Sequence, residues 1–251
     1  MIECSRQHGV QVIELNRPEK KNAFTGAMYD QLREALVTAD ADASVSVILL
    51  TGRGDAFSAG NDLQDFLEYP PDSVDAPPFH FLNALVQVKK PIVAAVNGLA
   101  VGVGATMLFH CDLVYAQDSA RFSFPFVALG LIPEGASSLL LPRLAGHRRA
   151  AEALLFGDPL SAGEAREIGL INRVVSDQPV LDFALSQALR LSRLPAGSVL
   201  QTKALLRNTD EVLARIALEA EAFVLRTKGP AAREAFAAFL EKRKPDFSGL
   251  D

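Results

Sequence analysis

Short apolar runs recur along the chain and predict buried β-strands. They lie at 10–16, 45–52, 91–98, 113–116 and 172–175. Helical patterns separate several of these runs, and the clearest lies at 25–42, where Thr25 is placed to cap a helix whose apolar residues recur on one face. Because apolar strands alternate with amphipathic helices, the pattern predicts an α/β fold with helices covering the sheets.

The pattern becomes wholly helical beyond about Pro195. Near the end, Ala232, Phe236 and Phe239 form an apolar stripe, and the cations at 242–244 are expected to close the last helical turn. Such a stripe on a terminal helix packs against the chain's own core or a neighbouring subunit. We therefore predict an α/β core over 1–195 and a helical region over 196–251 for oligomerisation and closure of the site.

Two other stretches affect this organisation. No charged side chain occurs from Pro91 to Cys111, a length that could span a bilayer. Prolines and glycines interrupt it, however, and its β-branched start and helix-like end favour a buried strand, turn and helix. The stretch from about Phe66 to Phe81 is rich in Pro and is expected to form an irregular pocket wall.

Composition narrows the possible functions. The 251 residues are 49% hydrophobic, and 30 acidic against 25 basic residues give a net charge of -5. With no long stripe of Lys and Arg, neither nucleic acid nor a membrane is expected as a partner. Cys4 and Cys111 are too few for a disulfide framework, and no export signal is visible, so a cytoplasmic location is the expectation.

The sequence lacks the motifs of several kinds of catalytic site. The sequence contains neither Gly-x-Ser-x-Gly nor His-Glu-x-x-His, which argues against a serine hydrolase of the α/β type and against a metal site. Gly102 and Gly104 resemble the start of a dinucleotide fingerprint, but Met107 occupies the third glycine position. Neither a metal nor a nicotinamide cofactor is expected.

Two loops are rich in small residues and each follows a predicted strand. They lie at 51–63 (TGRGDAFSAGNDL) and 97–108 (NGLAVGVGATML). Small residues allow a ligand to approach main-chain N–H groups, and donors that converge from two loops can form an oxyanion hole. Glycine-rich turns are more often structural, so the pair of loops is more informative than either loop alone.

Glu134 is the one charged residue between Arg121 and Arg143. Pro133 and Gly135 flank it, and on local sequence alone an exposed turn is the simpler interpretation. A buried carboxyl would instead have a raised pKa, which suits a group that accepts and returns a proton near neutral pH.

Motifs along nearly the whole chain resemble the crotonase, or enoyl-CoA hydratase/isomerase, superfamily. They include LNRPEKKNAF, FSAGNDL, KKPIVAAVNGLAVGVGATMLFHCDLVYA, FPFVALGLIPEGASSLLLPRLAG, GEAREIGLINRVV and AFLEKRKPDF. The resemblance implies a spiral of ββα units with a helical tail, a homotrimer or dimer of trimers, and acyl-CoA thioester substrates. It also implies that the backbone N–H groups of Ala59 and Val103 bind the thioester oxygen.

The same resemblance bears on the reaction. Hydratases of the family use two glutamates, and those positions here hold Thr106 and Phe126. Glu134 matches the single glutamate of the branch that converts 3-enoyl-CoA to 2-enoyl-CoA, so an isomerase without a separate cofactor is predicted. A hydratase or another crotonase reaction, and a non-catalytic acyl-CoA binder, remain alternatives.

Further residues are implied in substrate and CoA binding. They are Lys21, Ala23, Phe24, Ser58, Gly60, Asn61, Asp62, Leu63, Gly102, Phe239 and Lys242. The last two are expected to reach the adenine and phosphate end of CoA, from the same or a neighbouring subunit. Asp112 is interpreted as structural, and Asp62 also as a residue that shapes its loop.

Overall fold

The computed structural model describes residues 1–250, which form two β-sheets and a set of covering helices. The strands are β1 (Ile2–Gln7), β2 (Val10–Leu15), β3 (Val47–Gly52), β4 (Ala56–Ser58), β5 (Ile92–Val96), β6 (Leu99–Val101), β7 (Leu113–Gln117), β8 (Arg121–Ser123), β9 (Leu160–Ser161) and β10 (Arg173–Val175). The five strands predicted from apolar runs are confirmed, and the fold is the predicted mixture of sheets and covering helices.

The helices make up most of the second half of the chain. They are α1 (Gly26–Ala41), α2 (Leu63–Glu68), α3 (Pro77–Gln87), α4 (Val103–Thr106), α5 (Ser137–Ala145), α6 (His147–Phe156), α7 (Ala162–Glu167), α8 (Val180–Ser192), α9 (Ala196–Leu206), α10 (Thr209–Thr227) and α11 (Pro230–Leu240). The stretch 66–81 is less irregular than predicted, because α2 ends within it and α3 begins at Pro77, where a proline suits the first helical turn.

From β3 to β8, successive strands along the chain belong alternately to the two sheets. The larger sheet has the order β1-β2-β3-β5-β7-β10 and the smaller one β4-β6-β8-β9. Strands β3, β5 and β7 are parallel neighbours, and each continues through a turn into β4, β6 or β8, which are again parallel neighbours. The turns after β3 and β5 therefore lie side by side. They pack so closely that a Cβ added to Gly98 would lie 2.0 Å from the Asp55 carbonyl oxygen.

Both faces of the larger sheet are buried. Helix α8 covers one face, which includes Val10, Leu49 and Val93, and the main core lies on the other. The uncharged segment 91–111 forms β5, β6 and α4 within this buried region, so the predicted strand, turn and helix are confirmed. None of the helices among residues 1–250 has the length and apolarity needed to cross a membrane.

The C-terminal helices return to the core. Pro195 precedes α9 at the predicted boundary, although α8 already begins the helical part of the chain. Helix α11 buries Ala232 and Phe236 as predicted, but it ends at Leu240. Lys242 follows the helix with a left-handed φ of 55°, so the cations at 242–244 do not close its last turn. The oligomerisation role of this region stays a prediction.

Candidate active site

Glu134 lies in the loop before α5 and is buried, with 5% of its surface exposed. Its Oε1 accepts a hydrogen bond of 2.5 Å from the Thr106 hydroxyl on α4. Within residues 1–250 no Lys, Arg or His nitrogen lies within ion-pair distance of the carboxyl. The exposed-turn interpretation is therefore wrong, despite the flanking Pro133 and Gly135.

The surroundings of Glu134 change its ionisation. Burial raises the pKa of the carboxyl from 4.5 to about 7, because the charged form loses hydration that no cation replaces. The Thr106 hydrogen bond opposes this shift, and the negative charge of Glu219 adds to it. Near neutral pH the carboxyl thus exists in both forms, as a group that takes up and returns a proton requires.

The turn that carries Glu134 is fixed through its backbone. Gly135 and Ala136 have left-handed φ values of 68° and 58°. A ring nitrogen of His110 lies 2.8 Å from the Gly135 carbonyl oxygen. Burial and the Arg207 cation lower the pKa of His110 to about 4, so the neutral ring donates its one N–H to this carbonyl.

Glu219 of α10 binds the same turn from the other side. Its carboxylate accepts hydrogen bonds from the Ala136 N–H at 2.6 Å, the Ser138 N–H at 3.1 Å and the Ser138 hydroxyl at 2.5 Å. Glu219 is not among the site residues predicted from the sequence. A signal for it exists, since Glu219 lies three residues after Ile216 and four before Phe223 on the buried face of α10.

Two backbone N–H groups that border the same cavity have no hydrogen-bond partner among residues 1–250 and are candidates for binding a ligand. One belongs to Val103, the first residue of α4, and the other to Asn61. The N–H of Ala59, by contrast, donates to the Lys21 carbonyl oxygen at 2.9 Å. The predicted pair of Ala59 and Val103 is therefore corrected, because the Ala59 hydrogen is already used and the free donor of that loop is two residues further on.

The first loop is shaped so that Asn61 reaches the second loop. The buried Ser58 hydroxyl donates to the Asn22 carbonyl at 2.9 Å and accepts from the Gly60 N–H at 3.1 Å. Gly60 has a φ of 85°, and a Cβ there would lie 2.7 Å from the Val101 carbonyl oxygen. The Asn61 side chain in turn accepts a hydrogen bond of 2.5 Å from the Tyr29 hydroxyl.

A cavity of about 230 Å³ lies between these loops and is bordered by both Asn61 and Val103. Of the described residues, those that line it carry no charge; the side chains are mainly Leu63, Phe66, Phe126, Leu131, Phe223, Phe236 and Phe239. Predicted site residues Gly60, Leu63, Gly102 and Phe239 therefore do meet at one cavity. Phe239 reaches it from α11 of the same chain.

Glu134 is not among the residues that line this cavity, but it is linked to them through α4. Its partner Thr106 is three residues after Val103, hence on the same side of α4. Its charge also raises the pKa of the buried Tyr29 phenol, with desolvation as the larger cause, and Tyr29 is the residue that binds Asn61. The carboxyl is thus close to groups that adjoin both free N–H donors.

A second, larger cavity of about 680 Å³ shares Asn61 and Phe66 with the first. Phe24 borders it and stacks on Tyr29 with ring centroids 5.0 Å apart. Its outer wall carries the carboxylates of Asp65, Glu68, Asp72 and Asp75. Asn61 thus lies between the two cavities. The first is smaller and apolar, and the second is larger and more polar.

The remaining predicted binding residues do not line either cavity. Lys21 is exposed and paired with Asp55, and Ala23 is buried beside it. Ser58 is buried and holds its loop, as described above. Lys242 is exposed beyond α11. Their proposed contacts with CoA stay predictions.

Asp62 shapes its loop, as predicted. It accepts from the N–H groups of Gln64 and Asp65 at the start of α2, and it pairs with Arg17 at 2.6 Å. Burial alone would raise the pKa of Asp62, but the Arg17 cation and these N–H groups lower it more, so it stays ionised. A carboxylate held in this way is not available as a base.

Asp112 is structural, as predicted. It pairs with Lys203 at 2.8 Å and Arg207 at 3.4 Å, and it accepts from the Ile92 N–H at 2.7 Å. These contacts fasten α9 to the sheet. In the part of the chain that the structure describes, no three His, Cys, Asp or Glu side chains are grouped to hold a metal ion.

An α/β spiral that brings free backbone N–H donors close to a buried carboxyl is typical of a class of enzymes that act on acyl thioesters. The family model described as enoyl-CoA hydratase/isomerase matches residues 5–250, and the chain belongs to this family, also called crotonases. Its activity is therefore of the enoyl-CoA hydratase/isomerase type.

Relatives within the family have different reactions in their names. The chain is 38% identical to 1,2-epoxyphenylacetyl-CoA isomerase of Escherichia coli K12, over 97% of this chain and 96% of that one. It is 35% identical to 2,3-dehydroadipyl-CoA hydratase of the same strain, over 98% and 97%. The solved structure of OdaA from Pseudomonas aeruginosa is similar with a TM-score of 0.92 and 45% identity, over 95% and 98%.

Proposed function

We propose that this enzyme moves the double bond of 3-enoyl-CoA thioesters to the 2 position. The observation that carries the proposal is Glu134, a buried carboxyl without a cation and with a pKa of about 7. The two positions at which hydratases of the family carry glutamates hold Thr106 and Phe126 instead. One proton-carrying group is what a double-bond shift needs.

The proposed reaction has two proton transfers. The Glu134 carboxylate removes a proton from C2, and the electrons of that C–H bond form a dienolate whose negative charge lies on the thioester oxygen. The N–H groups of Asn61 and Val103 stabilise this oxygen. The protonated Glu134 then returns the proton to C4, the double bond forms between C2 and C3, and the carboxylate is restored. No atom is gained or lost.

The two parts of the site contribute comparable amounts. A positioned general base typically increases the rate by about 10² to 10⁴-fold, and one oxyanion donor contributes about 2.7 to 4 kcal/mol. The apolar cavity strengthens the second contribution, because an N–H group interacts more strongly with developing charge where water is excluded.

Hydration of 2-enoyl-CoA is the second candidate reaction. Hydratases of the family use two glutamates for it, and here the Thr106 hydroxyl donates its hydrogen to Glu134 while Phe126 is apolar, so Glu134 would have to act alone. A non-catalytic acyl-CoA binder is the third candidate. The buried carboxyl disfavours it, since a binder has no use for a costly ionisable group beside the ligand cavity.

Incubation with 3-hexenoyl-CoA tests the proposal, with the absorbance of the conjugated thioester as the readout. An isomerase produces this absorbance, whereas a binder leaves it unchanged. A hydratase removes it when 2-hexenoyl-CoA is supplied. In substrate labelled with deuterium at C2, transfer of label to C4 would support one shielded carboxyl as the carrier.

Two variants complete this experiment. Glu134→Gln should abolish most of the activity, while Glu152→Gln, which removes an exposed glutamate on α6, should retain it. Full activity in a folded Glu134→Gln variant would overturn the proposal.

The assembly and location proposed here rest on the family resemblance. Exposed apolar residues on the C-terminal helices, including Leu205, Leu206 and Leu225, support burial against other subunits in a homotrimer or a dimer of trimers. Mass measurement in solution distinguishes these states from a monomer. A cytoplasmic location and the absence of a cofactor other than the CoA of the substrate belong to the same proposal.

A further inference from the structure

Helix α5 begins without a capping side chain of its own. Its N-cap residue is Ala136, and no nearby side chain within α5 or the preceding turn accepts from the first N–H groups. Glu219 supplies this cap from α10, with both carboxylate oxygens engaged by Ala136 and Ser138. Since first-turn N–H groups of a helix favour a negative charge, the contact stabilises an ionised Glu219.

The cap acts on a backbone conformation that needs support. Ala136 has a φ of 58°, a left-handed conformation that is unfavourable for a residue other than glycine. The bond from the Ala136 N–H to Glu219 lies two residues from Glu134 and is 2.6 Å long. If the bond is lost, the turn is free to relax and the Glu134 carboxyl to move.

We propose that Glu219 is a positioning residue for the isomerase activity proposed above: from α10 it holds the turn that presents Glu134 to the substrate. Glu219 lies outside the walls of both cavities. Both of its carboxylate oxygens are engaged by the Ala136 and Ser138 hydrogen bonds, so it acts through Glu134 and not by contact with substrate.

The charge of Glu219 gives this role a second consequence. The groups that face Glu134 are Thr106, which lowers its pKa, and Glu219, which raises it; Tyr29 and the neutral His110 are uncharged. The pKa of Glu219 is raised, because burial outweighs the lowering by its hydrogen bonds to Ser138 and Ala136 and by the Arg215 cation. Removing its charge should lower the pKa of Glu134.

Two substitutions separate the charge from the hydrogen bonds. Glu219→Gln removes the charge, and its amide oxygen and NH2 group can still bind the Ala136 N–H and the Ser138 hydroxyl. Glu219→Ala removes all three hydrogen bonds. The matched control is Glu221→Gln, an exposed glutamate on the same helix.

We expect kcat for 3-hexenoyl-CoA to fall by about 10- to 100-fold in Glu219→Ala, in the range that misplacement of a reacting group causes, with KM within about threefold. Glu219→Gln should keep more of the turnover but shift the acid limb of kcat/KM to lower pH. Glu221→Gln should match the wild type in both. Folded Glu219 variants with wild-type kcat and an unshifted pH profile would overturn the proposal. It would also be overturned if both Glu219 variants lost kcat/KM to the same extent through a higher KM, with kcat unchanged.

A measurement without substrate keeps this inference separate from the proposed reaction. Infrared difference spectra follow the C=O stretch of protonated carboxyls during a pH titration, and the band missing in Glu134→Gln belongs to Glu134. A lower midpoint for that band in Glu219→Gln supports the contact even if the wild type has no isomerase activity. An unchanged midpoint overturns it even if the isomerase activity is found.

Discussion

Replacement of Glu134 by Gln should make the enzyme less active and, above pH 5, more stable. Gln keeps the shape of the side chain and can still accept the Thr106 hydrogen bond. It cannot carry a proton, so turnover of a 3-enoyl-CoA should fall by about 10² to 10⁴-fold while binding of the CoA ester changes little.

The stability gain follows from the difference between the folded and unfolded pKa. The pKa of the Glu134 carboxyl is about 7 in the folded protein and 4.5 in the unfolded chain. Each unit of difference between these pKa values corresponds to about 1.4 kcal/mol of stability. Below pH 4.5 the carboxyl is protonated in both states. Between pH 4.5 and 7 the unfolded chain releases the proton first, so the wild type loses about 3 kcal/mol, and above pH 7 the loss is constant.

Glu134→Gln does not titrate and should not lose this free energy. The difference in stability between variant and wild type should therefore grow by about 3 kcal/mol from pH 4.5 to pH 8, or about 6 to 12 °C in melting temperature. Urea unfolding at a series of pH values measures it, because the other carboxyls titrate in both proteins and cancel. A difference that is the same at pH 4.5 and pH 8 would refute the buried, uncompensated carboxyl.

Other substitutions test the remaining parts of the site. Val103→Pro removes one proposed oxyanion donor at the first position of α4, where proline is tolerated, and should reduce turnover by about 10²-fold or more; unchanged turnover in a variant with the wild-type melting temperature would place the donor elsewhere. Thr106→Val removes the hydrogen bond that favours ionised Glu134, so the acid limb of kcat/KM should move to higher pH; a shift to lower pH would contradict this assignment. Asp112→Asn leaves the Lys203 charge buried without its partner and should destabilise the fold by about 3 kcal/mol in urea unfolding, with kcat of the folded protein unchanged.

Long apolar runs were sufficient to predict the central strands. Strands such as β3 and β5 are buried on both faces, so their sequences are almost uniformly apolar. Strand β1 could not be predicted from an apolar run, because it is an edge strand whose residues are mostly exposed and polar. Strands β4 and β6 are three residues long, and no periodicity is visible over such a length.

The site could be predicted in its chemistry better than in its contacts. The absence of nearby charges drew attention to Glu134, but local sequence favoured an exposed turn, and the family resemblance was needed to assign it a catalytic role. Its partner Thr106 was identified only as a substituted position. In the first loop, the predicted donor Ala59 already donates its N–H to the Lys21 carbonyl oxygen, and the proposed donor lies two residues further on. Local sequence does not show which N–H of a loop is already bound, and here the decisive acceptor, the Lys21 carbonyl, lies in another segment.

Because the chain is synthesised from its N-terminus, the turn around Glu134 is made before Glu219, which caps it. Ala136 leaves the ribosome 83 residues ahead of Glu219. At about 5 to 20 residues per second, the turn around Glu134 exists for about 4 to 17 seconds before its cap is made, and α11, which completes the cavity wall, emerges later still. A nascent chain, or one cut short before α10, therefore contains Glu134 and both proposed N–H donors without the contact that supports the turn around Glu134.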